Sequence, residues 1–375
     1  MQREYLHELV DWPQFTWDSP GLAPILSSVR LHEGILLGKM KAYGFSTRQE
    51  TTLKTLTEET LKTSAIEGEV LDPDSVRSSI ARRLHLRVAG LSAKEDHQVE
   101  GIVEMMLDAT QKYKQPLTAN RLFEWHTHLF PDVRTSSDKF RVGAWRDDRD
   151  GPLQVISGPI GKEKVHYVAP SADRVPKEMD QFLKWFNGDA EPDPLLKAAI
   201  AHFWFVSIHP FEDGNGRIAR ALAEMCLARS DQSAQRFYSM SSQILDERKE
   251  YYRVLETSQR VASGLDITKW LHWFLECLDR AIHKAEQLSE EALTKESFWR
   301  RLKDQRITVN SRQRKILNKL FTDFEGKLTR SKWVKMTKCA PSTAQLDIQE
   351  LVAAGVLAQD SAGGRSTSYS LRFTR

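Results

Sequence analysis

Cysteine is scarce in this chain of 375 residues: only Cys226, Cys277 and Cys339 occur, widely spaced. Three such thiols support neither a disulfide framework nor a four-ligand zinc site. Low cysteine use points to the cytoplasm, where thiols stay reduced. Long apolar runs are absent too, and nothing approaches the roughly 20 residues of a membrane-spanning helix. The opening Met1-Gln-Arg-Glu-Tyr-Leu-His-Glu8 has no apolar run after its Arg, so it does not read as a secretory signal. β-Branched runs are few, and neither an internal repeat nor a low-complexity tract is present. What remains is the composition of a globular protein, 40% hydrophobic and 28% charged. Its length suits two or three domains and a sizeable core.

The net charge of +3 hides an asymmetry. Residues 303–375 hold 14 Lys and Arg against 6 Asp and Glu, a net of +8, whereas the other 302 residues hold 40 against 45, a net of −5. A basic C-terminal module on a mildly acidic body implies separate partners. Apolar residues recur at three- and four-residue spacing along most of the chain, the helical period. Helices are predicted around Leu22–Ile35, over Leu53–Ile66 with Gly68 as its stop, and over Asp96–Tyr113 and Thr118–Phe130. Further helices are predicted over 173–186, 194–207, 217–229, 248–262 and 267–295. Gly151–Pro170 breaks the pattern, with two β-rich runs around a glycine turn that read as a hairpin. Near the C-terminus, Ser311–Phe321, Ser331–Thr337 and Pro341–Ala354 read as short helices, and Asp360–Phe373 as a hairpin wing around Gly363-Gly364. That is the plan of a winged helix-turn-helix.

The chemistry concentrates in His209-Pro-Phe-Glu-Asp-Gly-Asn-Gly-Arg-Ile-Ala-Arg220. An apolar helix precedes it and a new helix starts near Gly216. Backbone N–H groups at a helix N-terminus lack intrahelical partners, and the helix dipole there favours anions. Gly214 and Gly216 let a phosphate approach the backbone. Arg217 and Arg220 lie one turn apart on a shared face and suit a polyphosphate. Asp213 is a hard oxygen ligand for Mg²⁺ held mainly by phosphates and water. His209 is a base that is neutral near physiological pH. Together they describe phosphoryl or nucleotidyl transfer. A plain helix-connecting turn explains Gly-Asn-Gly, but not the full set.

At these residues the chain resembles the Fic family of protein AMP-transferases, whose signature is His-x-Phe-x-(Asp/Glu)-Gly-Asn-Gly-Arg-x-x-Arg. His209, Phe211, Asp213, Gly214, Asn215, Gly216, Arg217 and Arg220 match it without departure. The resemblance covers roughly residues 60–280. It implies a mainly α fold: an N-terminal helical domain (1–90), a Fic helical core with a β-hairpin flap (91–295) and a C-terminal winged helix (303–375). It implies that His209 deprotonates a target Ser, Thr or Tyr hydroxyl, with ATP as substrate. Asp213 would hold Mg²⁺, and the backbone of 214–216, continuing through Arg217, Ile218, Ala219 and Arg220, would hold the phosphates. Phe211 would anchor the loop. The hairpin would be the flap that clamps the target chain, with Lys164, Val165, His166 and Tyr167 nearest the nucleotide. Tyr251 resembles a residue at the nucleoside, whereas Gln259 stands where many relatives have Asn.

Thr63-Ser-Ala-Ile-Glu67-Gly68 resembles the family's inhibitory motif, (Ser/Thr)-x-x-x-Glu-(Gly/Asn). A carboxylate in the last turn of a helix opposes the dipole, so a cationic partner is expected. The resemblance supplies Arg220, withdrawn from the γ-phosphate. Relatives also dimerise, and the same loop can remove AMP by hydrolysis. Ile156–Glu163 superficially resembles a phosphate-binding loop but lacks its first Gly and the Ser/Thr after Lys162. His126-x-His128 lies on a helix with its rings pointing apart and no metal pattern beside it. The rival class is a DNA-binding regulator reading sequence with Ser342, Thr343, Gln345 and Gln349, against which Asp347 and Glu350 place negative charge.

Overall fold

The computed structural model describes residues 4–86, 96–131, 141–149, 151–158, 162, 164–188, 192–321, 324, 326–360 and 367–372. It divides into two compact units, Met1–Ala285 and Glu286–Arg375. The first unit is helical: α1 (Ser19–Ala42), α2 (Phe45–Ile66), α3 (Pro73–Arg83), α4 (His97–Gln111), α5 (Ala119–Leu129), α6 (Val175–Asn187), α7 (Pro194–Ile208), α8 (Asn215–Asp231), α9 (Met240–Asp246) and α10 (Arg248–Ser258), with the start of α11 (Thr268–Asp304). Two short strands, β1 (Gln154–Ser157) and β2 (Lys164–Val168), pair antiparallel with a register shift between Val155 and Ile156. The hairpin's expected turn at 159–161 lies outside the described residues.

The centre of this unit is the antiparallel pair α7–α8. Asp193 caps α7 by accepting from the Leu195 N–H at 2.8 Å, and Pro194 fills the first helical position. From Leu195 onward only Lys197 on α7 is not fully buried. A helix that is apolar all round belongs in a core. α8 is buried almost as completely, from Asn215 to Ala228. The six-residue loop joining them, 209–214, is therefore held at both ends by packed helices. α2 lies against this centre and α9. It ends as the glycine predicts: Gly68 has φ +89°, and the Glu69 N–H closes onto the Ser64 carbonyl at 3.0 Å.

The second unit holds the rest of α11, then α12 (Ser311–Leu320), α13 (Arg330–Thr337) and α14 (Pro341–Ala353). Three antiparallel strands in the order β3-β5-β4 complete it: β3 (Leu328–Thr329), β4 (Leu357–Gln359) and β5 (Ser368–Leu371). Its own core gathers Ile316, Leu317, Trp333, Ile348 and Leu351. The expected glycine pair at 363–364 lies outside the described residues. Among the described residues, no helix is long and apolar enough to cross a membrane.

Candidate active site

His209 caps α7 in the left-handed region, with φ +52°. Few non-glycine residues adopt that conformation, and here it turns the chain sharply out of the helix. The ring Nδ1 lies 3.1 Å from the Val206 carbonyl. A carbonyl only accepts, so Nδ1 carries the proton and Nε2 is left with a free lone pair. Burial lowers the imidazole pKa to about 4; the bond to Val206 opposes this and the nearby Arg146 charge adds to it. The ring is therefore neutral at physiological pH and available as a base.

The loop is fixed from inside. Phe211 is fully buried and stacks on His126, ring centroids 4.1 Å apart. The buried Asn215 side chain clamps it reciprocally, accepting from Phe211 N at 3.0 Å and donating to Phe211 O at 2.7 Å. His126 accepts the Gly143 N–H on Nδ1 at 3.0 Å, so its Nε2–H donates to the Asp213 carbonyl at 3.2 Å. Burial lowers its pKa to about 4. Arg146 is buried and donates Nε–H to the His209 carbonyl at 2.8 Å; its Nη2 bonds the Pro170 carbonyl beyond the hairpin. Asp148 lies 2.7 Å from the same guanidinium. His126 and Arg146 thus hold the backbone on either side of the loop. Neither is recognisable from sequence, where His126 is one of two helical histidines and Arg146 one arginine of a charged run.

The next helix starts at Gly214, φ +79°, where a Cβ would crowd Phe130 and Leu129 at 3.1–3.2 Å. The N–H groups of Asn215, Gly216 and Arg217 have no i−4 carbonyl to meet, and they open the anion site. A carboxylate already stands there. Glu67 Oε1 lies 2.3 Å from where a Gly216 Cβ would be, so only glycine admits it. The same oxygen accepts from Arg220 Nη2 at 2.8 Å. Arg220 is buried and also donates to Thr63, from Nε to Oγ1 at 2.7 Å and from Nη2 to the carbonyl at 2.9 Å. Burial alone would raise the Glu67 carboxyl. The guanidinium of Arg220, with Arg217 and Arg248 behind it, holds it below the usual carboxylate range instead. Tyr252, 38% exposed, donates its hydroxyl to the Ile66 carbonyl at 3.4 Å, beside Glu67.

Arg217 has a partner the sequence does not announce. Its Nη1 lies 2.7 and 2.8 Å from the two carboxylate oxygens of Glu69. Both arginines of the loop therefore face carboxylates from the turn after α2. Arg220 Nη1 and Arg217 Nε are nonetheless buried without a hydrogen-bond partner among the described residues, unspent donors beside an anion site. Ile218 and Ala219 bury their side chains completely and offer the site only backbone.

Of the other expected residues, Lys164 and His166 on β2 meet Glu256 of α10, at 3.4 and 2.7 Å. Val165 is 37% exposed. Tyr167 turns inward, its buried hydroxyl donating to the Ser207 carbonyl at 2.6 Å. Tyr251 is buried with its hydroxyl 3.2 Å from His202 Nε2. Gln259 donates to Ser207 Oγ at 3.1 Å. Asp213 presents a side chain that is 63% exposed, with Oδ1 accepting from Gly214 N. One exposed carboxylate beside a phosphate site fits Mg²⁺, which takes few protein ligands and keeps water and phosphate oxygens.

Parts of this chain are similar to known proteins. Residues 116–227 match the Fic/DOC family, and residues 5–86 match a domain of unknown function, DUF4172. The chain is 26% identical over 224 residues to "Protein adenylyltransferase Fic" of Drosophila ananassae, covering 59% of this chain and 39% of that protein. It is 27% identical over 170 residues to "Protein adenylyltransferase fic-1" of Caenorhabditis elegans, covering 45% and 31%. The chain thus spans well under half the length of these relatives. A Fic family protein from Desulfovibrio desulfuricans superposes with a TM-score of 0.53 at 21% identity, over 95% of this chain and 97% of that one. A Fic domain containing signalling protein from Bacteroides thetaiotaomicron gives 0.51 at 20% identity, over 69% and 95%. This chain carries a Fic domain.

Proposed function

We propose that this Fic-domain chain transfers AMP from ATP to a hydroxyl group of a protein, itself included, and that Glu67 restrains the reaction. The observation that carries the reading is the convergence on one loop of a neutral imidazole, a helix N-terminus and two buried arginines, with a carboxylate seated where an anion belongs.

His209 Nε2 takes the proton of a Ser, Thr or Tyr hydroxyl as its oxygen bonds to the α-phosphorus of ATP. The bond from that phosphorus to the bridging oxygen breaks, and pyrophosphate leaves. The N–H groups of Asn215, Gly216 and Arg217 stabilise charge on the α-phosphate, rather than the expected set 214–216, because the Gly214 N–H already donates to Asp213 Oδ1; the Arg217 and Arg220 side chains hold the leaving phosphates. Asp213 would hold Mg²⁺, which supplies further neutralisation of phosphate charge. His126 and Arg146 keep the loop in register. The hairpin offers backbone for an extended target segment.

With Glu67 in place, Arg220 is spent on a carboxylate, and the space against Gly216 is filled. ATP must displace that carboxylate to bind productively. The test uses the Glu67→Gly chain, labelled ATP and a cell lysate. Label is expected on protein and lost on adding His209→Ala, with ATP binding kept. Undiminished label with His209→Ala rejects the base.

For the second unit we propose a winged helix that meets duplex DNA. Of the two acids that argue against this, Asp347 is turned inward, buried and bonded to Arg312 at 2.7 and 2.9 Å and to Asn310 at 2.8 Å, whereas Glu350 stays exposed and accepts from Gln313 Nε2 at 2.8 Å. Ser342 and Gln349 remain on the outer face of α14. A salt-dependent gel shift of duplex DNA by the full chain is expected; no shift at low salt rejects the proposal.

A further inference from the structure

Away from the catalytic loop, three metal-ligating side chains meet between α1 and α11. Asp279 and His283 lie four residues apart on α11 and so share a face. His32 comes from α1, 247 residues from Asp279 in sequence, with Nδ1 2.8 Å from Asp279 Oδ1. One ligand atom from each of the three lies within 4.8 Å of the others. The His32 and His283 ring centroids are 4.0 Å apart. His283 Nδ1 lies 3.0 Å from the Asp279 carbonyl, which fixes its proton there and leaves the Nε2 lone pair free. That is the tautomer control common around metal-bound histidine. We propose that His32, Asp279 and His283 bind a divalent ion of the zinc class. Two imidazoles and one carboxylate favour Zn²⁺ or Co²⁺ over Mg²⁺ or Ca²⁺, which prefer all-oxygen shells. Ligand nitrogens at about 2.0–2.1 Å from the ion would replace the proton now shared by His32 and Asp279. All three side chains are partly buried, at 23%, 18% and 44% exposure, so small rotations close the set. The ion would staple the N-terminal helix α1 onto α11. Full-length, tag-free protein stripped with chelator is titrated with Co²⁺, followed by the visible absorption of a low-coordinate site and by melting temperature. One equivalent is expected to bind and raise the melting temperature. His32→Ala and the more exposed His283→Gln are each expected to weaken binding at least tenfold, whereas His272→Ala on the same helix leaves it unchanged. Only the spectrum of hydrated Co²⁺, or unchanged affinity in both cluster variants, overturns the site.

A separate observation concerns Glu69 and rests on the reading of the loop as an ATP site. Glu67 alone would leave Arg217 free for phosphate. Glu69 meets Arg217 with both carboxylate oxygens, and the Arg217 side chain is only 3% exposed. The positive φ of Gly68 turns the chain between the two acids, so one turn presents both. We infer that Glu69 is a second carboxylate competing with ATP phosphates. ATP affinity is measured by calorimetry for Glu69→Gln alone, Glu67→Gly alone and both together. Glu69→Gln is expected to tighten ATP several-fold in either background, beyond the effect of Glu67→Gly. Unchanged affinity in both backgrounds overturns it. If Glu67→Gly alone has no effect, restraint by Glu67 fails, and the Glu69→Gln comparison still decides this inference.

Discussion

The helices that carry the 209–214 loop and the helix that brings Glu67 to it are packed by different chemistry. α7 and α8 bury Ile200, Phe203, Phe205, Ile208, Ile218, Leu222 and Met225. α2 has Leu53, Leu56 and Ile66, but the rest of its buried face is Thr52, Thr55, Thr57, Glu59, Thr60, Thr63 and Ser64. Thr57 and Thr60 spend their hydroxyls on their own helix, donating to the Leu53 and Leu56 carbonyls at 2.7 and 2.8 Å. Such bonds add little net stability, since water offers the same partners to the unfolded chain. Glu59 does more for docking, accepting from Ser239 Oγ at 2.6 Å and Ser241 N at 3.0 Å at the start of α9. The loop is thus set in a close-packed frame, which is the condition for positioning a base and an anion site. Glu67 and Glu69 follow a helix whose buried face is largely polar, held by bonds that water can replace.

Breaking the frame has the largest expected effect. Phe211→Ala removes a fully buried ring and the stack on His126, and is expected to cost about 3–5 kcal/mol of stability, read by denaturant unfolding. A loss below about 1 kcal/mol denies Phe211 its anchoring role. Acid comes next. His126 and His202 are buried, with pKa values lowered by burial to about 4 and about 3. The unfolded chain takes up protons first, near its ordinary value of about 6.5. The stability these two histidines protect is therefore complete above that pH and falls as pH drops toward 4. By pH 5 each is expected to cost about 2 kcal/mol, against pH 7. His126→Phe should flatten that slope; an unaltered slope means that His126 is not a source of the acid sensitivity. Thr63→Val has the smallest expected effect. It deletes one bond to Arg220, about 1 kcal/mol, and should loosen Glu67 enough to raise AMP transfer several-fold with little change in melting. Equal activity would mean that the polar seat of α2 does not set the restraint.

The parts of the site legible in the sequence are those written contiguously. His209 to Arg220 stands out because an imidazole, a carboxylate, glycines and arginines are adjacent. Glu67 shows because Gly68 marks the helix end beside it. The helical period reveals α7 and α8, and the β-rich runs reveal the hairpin. What stays hidden depends on contacts between distant residues. Glu69 meets Arg217 across 148 positions, His126 meets Asp213 across 87 and Arg146 meets His209 across 63. No local pattern encodes such pairings. Tyr167 shows a related gap: alternation along β2 does not tell that its hydroxyl reaches inward to Ser207. Asp347 reads from sequence as surface charge on a recognition helix, yet Arg312 and Asn310 draw it into the core.

The proposed restraint is tested most directly by one rate ratio. Initial rates of AMP transfer to protein, measured with labelled ATP at a concentration below saturation, are compared for Glu67→Gly and the unaltered chain. Freeing Arg220 and the space against Gly216 is predicted to raise the rate roughly tenfold or more, the scale of a coupling of about 1–3 kcal/mol. Equal rates, with ATP bound equally by both proteins, would contradict it.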